Sequence, residues 1–392
     1  MTTVHEPRPQ RFAWVWAALP LMLLALLVAW FLATDPLAPL ASDVPPIENL
    51  TVERVTLDEA GIHLLVRADG SEPVAIAQVQ VDGAYWSFTQ DPVGPLARLQ
   101  RASIDVQYPW VAGEAHAITL LTRSGVAFGH TIEVAAPSPV VGWGRLLAFA
   151  LLGIYVGVVP VALGLMFYPY LRTLGRRGLQ FLLALTVGML AFLFVDTLQE
   201  GLELAVAAAP AFQASALVWF AAGLAFLILF VLGRRRGRPE GMALAYFLAF
   251  GIGLHNLGEG LAIGAAYAIG EAALGSFLVV GFTLHNITEG IGIAAPLAKR
   301  PVRLMAFVGL AALAGLPAVF GTWIGAFAFE PHWAALFLGI GAGAILQVMV
   351  EVGGYLARGT EGATGRWASA PNLLGFALGL AVMYGTGFLV NV

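Results

Sequence analysis

Cysteine is absent from the 392 residues, which removes disulfides, thiolate metal ligands and redox thiols from consideration. Charge is scarce as well. Asp, Glu, Lys and Arg together make up 11% of the chain, against about 25% in a soluble globular domain. Too little polar surface is left to cover a water-soluble body of this size, which excludes a cytosolic enzyme, a nucleic-acid binder and a disordered scaffold. What takes up the difference is apolar. Hydrophobic residues make 59% of the chain, mean hydropathy is +0.82, and several runs reach the roughly 18 residues that suit a bilayer. The composition predicts a polytopic membrane protein, and 46 glycines fit the close packing of membrane helices.

Three regions differ in composition. In residues 1–33 an apolar run, Phe12–Leu32, follows a short polar start. With Trp14, Trp16 and Trp30 it is longer than the roughly 7–15-residue core of a secretory signal, so an extra N-terminal membrane helix is expected. Small residues around Ala38–Ser42 keep a cleaved signal as the alternative. Residues 34–139 hold 13 acidic and 5 basic residues and no membrane-length run. Period-2 alternation marks strands at Val52–Leu57, Ile62–Ala68, Ala75–Val81, Ser103–Tyr108, Ala117–Thr122 and Thr131–Val134. Asp69-Gly70, Asp82-Gly83 and Ser124-Gly125 read as the turns between them. A small all-β domain of sandwich type is expected there, and its stretch from Tyr108 to Glu114 resembles an immunoglobulin-like edge.

Residues 140–392 stay apolar and read as eight spans near 145–170, 179–209, 213–232, 241–269, 272–297, 303–328, 332–357 and 371–391. Twelve basic residues in the connections fall on one side: Arg172, Arg176, Arg177, Arg234, Arg235, Arg236, Arg238, Lys299, Arg300, Arg303, Arg358 and Arg366. Only Arg145 falls on the other. The positive-inside rule makes the first side cytoplasmic, and Arg8 and Arg11 place the N-terminus there too. The expected fold is therefore an all-α polytopic bundle in the cell (inner) membrane. Its extra helix comes first, and its small all-β domain and C-terminus are extracytoplasmic.

Ionisable residues inside spans are costly and mark function by default. Here they repeat. The fourth of the eight spans contains His255-Asn256-Leu-Gly258-Glu259-Gly260, and the fifth contains His285-Asn286-Ile-Thr288-Glu289-Gly290, thirty positions later. His and Glu four apart share one helix face, with Asn on an adjoining edge. Both histidines lie near the middle of their spans, so antiparallel packing would bring two imidazoles, two carboxylates and two amides together at one depth. Without sulfur, that donor set suits zinc, iron(II), manganese or cobalt. A hydrogen-bonded helix staple, a proton relay and an intramembrane metallohydrolase use similar residues, although the chain has no His-Glu-x-x-His.

The paired motifs resemble those of the ZIP (Zrt/Irt-like) divalent-metal transporters, bacterial type, over about residues 145–392. The resemblance implies an eight-helix ZIP-like bundle that is a permease and not an enzyme. It would move divalent metal into the cytoplasm by alternating access. Zinc is the first expectation as substrate, with iron, manganese, cobalt and cadmium also suited. It implies His255, Glu259, His285 and Glu289 as ligands of one metal, and Asn256 and Asn286 beside a second.

The chain departs from the family where His-Asn-x-Pro-Glu-Gly is usual, because Gly258 and Thr288 replace the prolines. In the sixth span, Leu313-Ala-Gly315-Leu-Pro317 keeps a proline but no acid. Asp196, Glu200 and Glu203 share one face of the second span, and Glu200 and Glu203 fall in its outer half and suit an inlet. Gln347 and Glu351 fall on the inner half of the seventh and suit an outlet. Glu271, Glu240 and Glu330 sit at span ends and read as solvated, while His5, His63, His116, His130 and His332 show no ligand spacing. The bilayer and the metal ion are the expected partners, a homodimer is compatible, and the sequence names no partner for the outer domain. The rival from another class is a membrane metal receptor or sensor that binds without transport.

Overall fold

The computed structural model describes residues 13–34, 36, 47–235, 237, 239–268, 272–358 and 369–390. His5, Arg8, Arg11, Arg236, Arg238, Glu271, Arg366 and the Ala38–Ser42 stretch lie outside the described residues. Helix α1, Ala13–Thr34, carries no charged side chain, and its Thr34 hydroxyl donates to the Trp30 carbonyl (2.8 Å). It forms a unit separate from Glu48–Val392.

Among the described residues eight strands follow: β1 Leu50–Asp58, β2 Gly61–Ala68, β3 Ile76–Val81, β4 Ala84–Trp86, β5 Phe88–Asp91, β6 Arg101–Val106, β7 His116–Thr122 and β8 Ala127–Ile132. They form two antiparallel sheets, ordered β1-β2-β6-β5 and β4-β3-β7-β8. Alternation decides which face is buried. In β6, Ala102, Ile104 and Val106 point inward while Arg101, Ser103 and Asp105 do not. Leu64 and Ile104 of one sheet share a single core with Val79 and Leu120 of the other. Asp82 and Gly83 both adopt positive φ (52° and 79°) and join β3 to β4 through a two-residue hairpin turn. The strand expected at Thr131–Val134 lies earlier, at Ala127–Ile132, because Ser124-Gly125 turns the chain directly into it. Strands β4 and β5 carry no clear alternation. They are three and four residues long, on sheet edges, with side chains that are exposed or half-buried.

The helices come next: α2 Trp143–Thr173, α3 Arg176–Val206, α4 Ala214–Arg234, α5 Met242–Ala268, α6 Ala272–Ala294, α7 Leu304–Ala328, α8 Pro331–Arg358 and α9 Ala370–Val390. Among the described residues, six helical stretches are long and apolar enough to cross a membrane: α2, α3, α7, Pro210–Arg234, Leu278–Leu297 and Pro331–Ala357. They are consistent with an integral membrane protein. Helix α5 is 27 residues long but less apolar, because His255, Asn256 and Glu259 occupy its centre.

Two helices are locally broken, each for a sequence reason. In α7 the regular helix stops at Gly315 and restarts at Pro317, whose ring has no N–H to give the Leu313 carbonyl. In α2 a π-turn spans Ile154–Val158, just before Pro160. By contrast α5 and α6 run unbroken through Gly258 and Thr288. The Thr288 hydroxyl donates to the His285 carbonyl one turn back (2.6 Å).

The sandwich is tied to the helix connections. Arg54 donates to the Phe327 carbonyl (3.3 Å), and Arg101 pairs with Glu330 (2.8 Å) between α7 and α8. The Arg67 guanidinium sits 5.0 Å from the centre of the Phe212 ring, which stacks on His332 at 4.3 Å. Glu330 is thus paired with Arg101, where simple solvation was expected.

Candidate functional site

Helices α5 and α6 pack side by side and carry the repeated motif into contact. His255, Asn256, Glu259, His285, Asn286 and Glu289 are all buried, none more than 3% exposed. One carboxylate sits at the centre. The His285 Nε2 atom hydrogen-bonds to Glu259 Oε1, and His255 Nε2 lies 2.9 Å from the same oxygen. One ligand atom each from His255, Glu259 and His285 fall within 4.8 Å of one another. The two imidazole rings stand 6.3 Å apart at a tilt of 36°.

The asparagines are held by the two helix breaks. Asn256 Nδ2 donates to the Ala314 carbonyl (3.0 Å), at the interruption of α7. Asn286 Nδ2 donates to the Val156 carbonyl in the π-turn (3.1 Å) and to Glu259 Oε2 (3.2 Å). Each amide therefore spends its N–H on a neighbouring helix, and each Oδ1 is left buried without a hydrogen-bond partner among the described residues. Glu289, one turn after His285, likewise has both carboxylate oxygens buried and unpartnered. Buried polar atoms are nearly always satisfied, so this local concentration of unsatisfied oxygen acceptors is unusual.

The structure thus places three of the six motif residues in one ligand-sized group. Asn286 reaches that group through Glu259, while Asn256 and Glu289 are buried outside the group of three. No protein side chain signals the Ala314 and Val156 carbonyls in the sequence. Their only trace there is the nearby Pro317 and Pro160, which mark broken helices. The acid missing from Leu313–Pro317 cannot simply be restored. A Cβ at Gly315 would fall 2.5 Å from the Val158 Cα, and Leu316 is 43% exposed on an outer face.

The further polar positions divide. Asp196 and Glu200 on α3 lie near enough to His255 and Glu259 to interact electrostatically. Asp196 and Glu203 are exposed and Glu200 is half-buried. Gln347 on α8 is fully buried, faces Gly251 of α5, and has neither amide atom hydrogen-bonded among the described residues. Glu351 is also fully buried: Arg234 Nη2 pairs with its Oε1 at 3.1 Å, while its Oε2 has no hydrogen-bond partner among the described residues.

Of the remaining described histidines in the sandwich, two have carboxylate partners. His63 bridges Asp105 (2.6 Å) and Asp58 (2.9 Å), and His116 pairs with Asp82 (2.8 Å). Burial pulls the His63 imidazole down, but the two carboxylates outweigh it and hold the group above its ordinary value. Burial alone pushes His130 down. No protein-family model matches this chain, and no curated protein is significantly similar to it.

Proposed function

We propose that the chain is a ZIP-like permease that carries divalent transition metal, zinc first, inward across the membrane by alternating access. The observation that carries this reading is the buried group of His255, Glu259 and His285 on two neighbouring helices. Two imidazoles and one carboxylate form a borderline donor set of the kind zinc takes, with no thiolate to favour copper(I). The orphaned Oδ1 atoms of Asn256 and Asn286 and the Glu289 carboxylate offer further oxygen ligands beside it. Asp196 and Glu200 would serve the inlet, and Gln347 and Glu351 the outlet.

Helix packing supports movement of the site as a body. Within the set α2, α5, α6 and α7, glycines press onto neighbouring backbones: a Cβ at Gly260 would lie 2.2 Å from the Ala318 carbonyl oxygen, and one at Gly290 2.3 Å from that of Val161. Within α3, α4, α8 and α9 the same holds for Gly188 against Phe376 and Gly343 against Ala222, both at 2.2 Å. Between the sets, Gly251, Gly258 and Gly292 meet the side-chain ends of Val348, Leu338 and Thr186, and Gly341 clears the His255 backbone by an ordinary 3.5 Å. Side-chain contacts slide at lower cost than interlocked backbones. Gly253, Gly260 and Gly264 all bind α5 to α7.

Proteoliposomes containing the purified chain should accumulate zinc with saturable kinetics. Saturable binding without accumulation would instead identify a receptor. In the proposed topology the sandwich faces outward and the basic connections face the cytoplasm. The absence of cysteine makes this directly testable. A cysteine replacing Val93, which is 92% exposed, should react with an impermeant maleimide added to intact cells, and one replacing Glu240 should not. The reverse pattern would invert the direction of transport.

A further inference from the structure

We propose that the groove between α2 and α7, at the end of the helices remote from the sandwich, is the seat of one anionic phospholipid. The groove has a volume of about 570 Å³ and apolar walls, formed by Val158, Ala162 and Leu165 of α2 and by Phe307, Val308 and Ala312 of α7. Both helices are apolar enough to cross a membrane, so the groove opens toward hydrocarbon. Walls of this kind offer an acyl chain contact along its length and offer an ion or sugar nothing.

The mouth of the groove has different chemistry. Tyr168 forms its floor, with its ring 5.0 Å from that of Phe307 and its hydroxyl donating to the Arg300 carbonyl. Tyrosine favours this boundary, because its ring is apolar and its hydroxyl is wet. The Arg172 guanidinium stands 5.8 Å from the Tyr168 ring centre, and Arg303 immediately precedes α7. Arg172 and Arg303 are both exposed, whereas the Arg300 guanidinium packs against Gly241. Among the described residues neither Arg172 nor Arg303 is paired with a carboxylate, whereas Arg67, Arg101 and Arg234 each are. Helix α7 spans 25 residues from this mouth to Ala328, beside the sandwich contact at Phe327, a separation of roughly 37 Å at helical rise. The mouth therefore falls near the headgroup level of the opposite leaflet.

An acyl-lined groove ending beside two guanidinium groups without carboxylate partners, those of Arg172 and Arg303, matches a chain that ends in a phosphodiester with net negative charge. A zwitterionic lipid satisfies the groove but adds a cation among the arginines. A second copy of the chain would bring an apolar ridge but no counter-charge. The inference needs only the fold and the membrane, and it stands or falls independently of metal transport.

The test uses the full chain in detergent with dioleoylphosphatidylglycerol or dioleoylphosphatidylcholine, and counts retained lipids by native mass spectrometry. The parent protein should retain one phosphatidylglycerol with roughly tenfold preference, reduced by salt. The double variant Arg172→Gln, Arg303→Gln should lose the preference while binding phosphatidylcholine as before. Ala312→Trp, which fills the groove, should release both lipids. If the double variant does not fold, Arg303→Gln alone should cut the preference about two- to threefold. No preference in the parent, or one untouched by salt and by these variants, would overturn the proposal. So would efficient cross-linking of Val308→Cys between two copies in phosphatidylglycerol membranes.

Discussion

Glu259→Gln should lower zinc uptake on the order of a hundredfold or more, a larger loss than any other single substitution in the motif. Groups that merely orient a metal ligand cost about 10–100-fold when removed, and Glu259 contacts both imidazoles directly. Glutamine keeps the side-chain volume and an oxygen for Asn286 Nδ2, so the loss would report lost ligation and not a collapsed core. His255→Ala and His285→Ala should follow closely. Glu289→Ala should cost less, because Glu289 stands outside the group of three. Metal binding requires neutral imidazole and ionised carboxylate, so protons compete with metal and uptake should fall as the pH drops through the weakly acidic range. His116→Ala, at its Asp82 contact in the sandwich, should leave uptake and its pH profile unchanged. Undiminished uptake by Glu259→Gln, with an unaltered pH profile, would sink the transport assignment.

The repeated His-Asn-x-x-Glu-Gly was legible because it is a side-chain pattern, and side-chain type is what a sequence records. Helix positions were legible because apolar runs, arginines and glycines mark their lengths and ends. What stayed hidden depends on backbone or on partners far along the chain. The carbonyls of Ala314 and Val156 that fix the asparagines belong to helix breaks, and nothing in residue type at 156 or 314 announces them. The pairing of Arg234 with Glu351 joins positions 117 apart: Arg234 alone reads as a basic residue at a helix end, and Glu351 alone as a residue of the outlet. In the sandwich, β4 and β5 escaped because edge strands of three or four residues have no alternation to detect. Glu53 stayed hidden because its partners Arg67 and Arg101 lie on other strands, and it proves to be the hub of the outer charge network.

That network yields the second large effect: Glu53→Ala should destabilise the protein by about 3–5 kcal/mol. Glu53 is 4% exposed; Arg67 holds both its oxygens, Nε on Oε1 (2.5 Å) and Nη2 on Oε2 (3.2 Å), and Arg101 Nε lies 2.8 Å from Oε2. Removing it leaves the Arg67 guanidinium, itself 9% exposed, without its carboxylate in a region that cannot hydrate it well. Arg101 would fare better, because Glu330 remains to it. The reverse deletion, Arg67→Met, should cost less, since Glu53 keeps Arg101 and methionine fills most of the vacated space. The double variant Glu53→Leu, Arg67→Met should recover much of the loss, because an apolar pair of similar volume carries no desolvation penalty. Acid should weaken the same region. The hydrogen bond from Arg101 holds the Glu330 carboxyl below its ordinary value. The stability this contributes is present at neutral pH and is lost as pH falls through the folded-state value, below the usual carboxylate range. Thermal unfolding followed by the fluorescence of the sandwich tryptophans, Trp86 and Trp110, would measure each variant. A Glu53→Ala protein melting within about 0.5 kcal/mol of the parent would show that water already reaches these arginines. In that case the clamp between the sandwich and the α7–α8 connection would rest on Arg54 and the Arg67–Phe212–His332 stack instead.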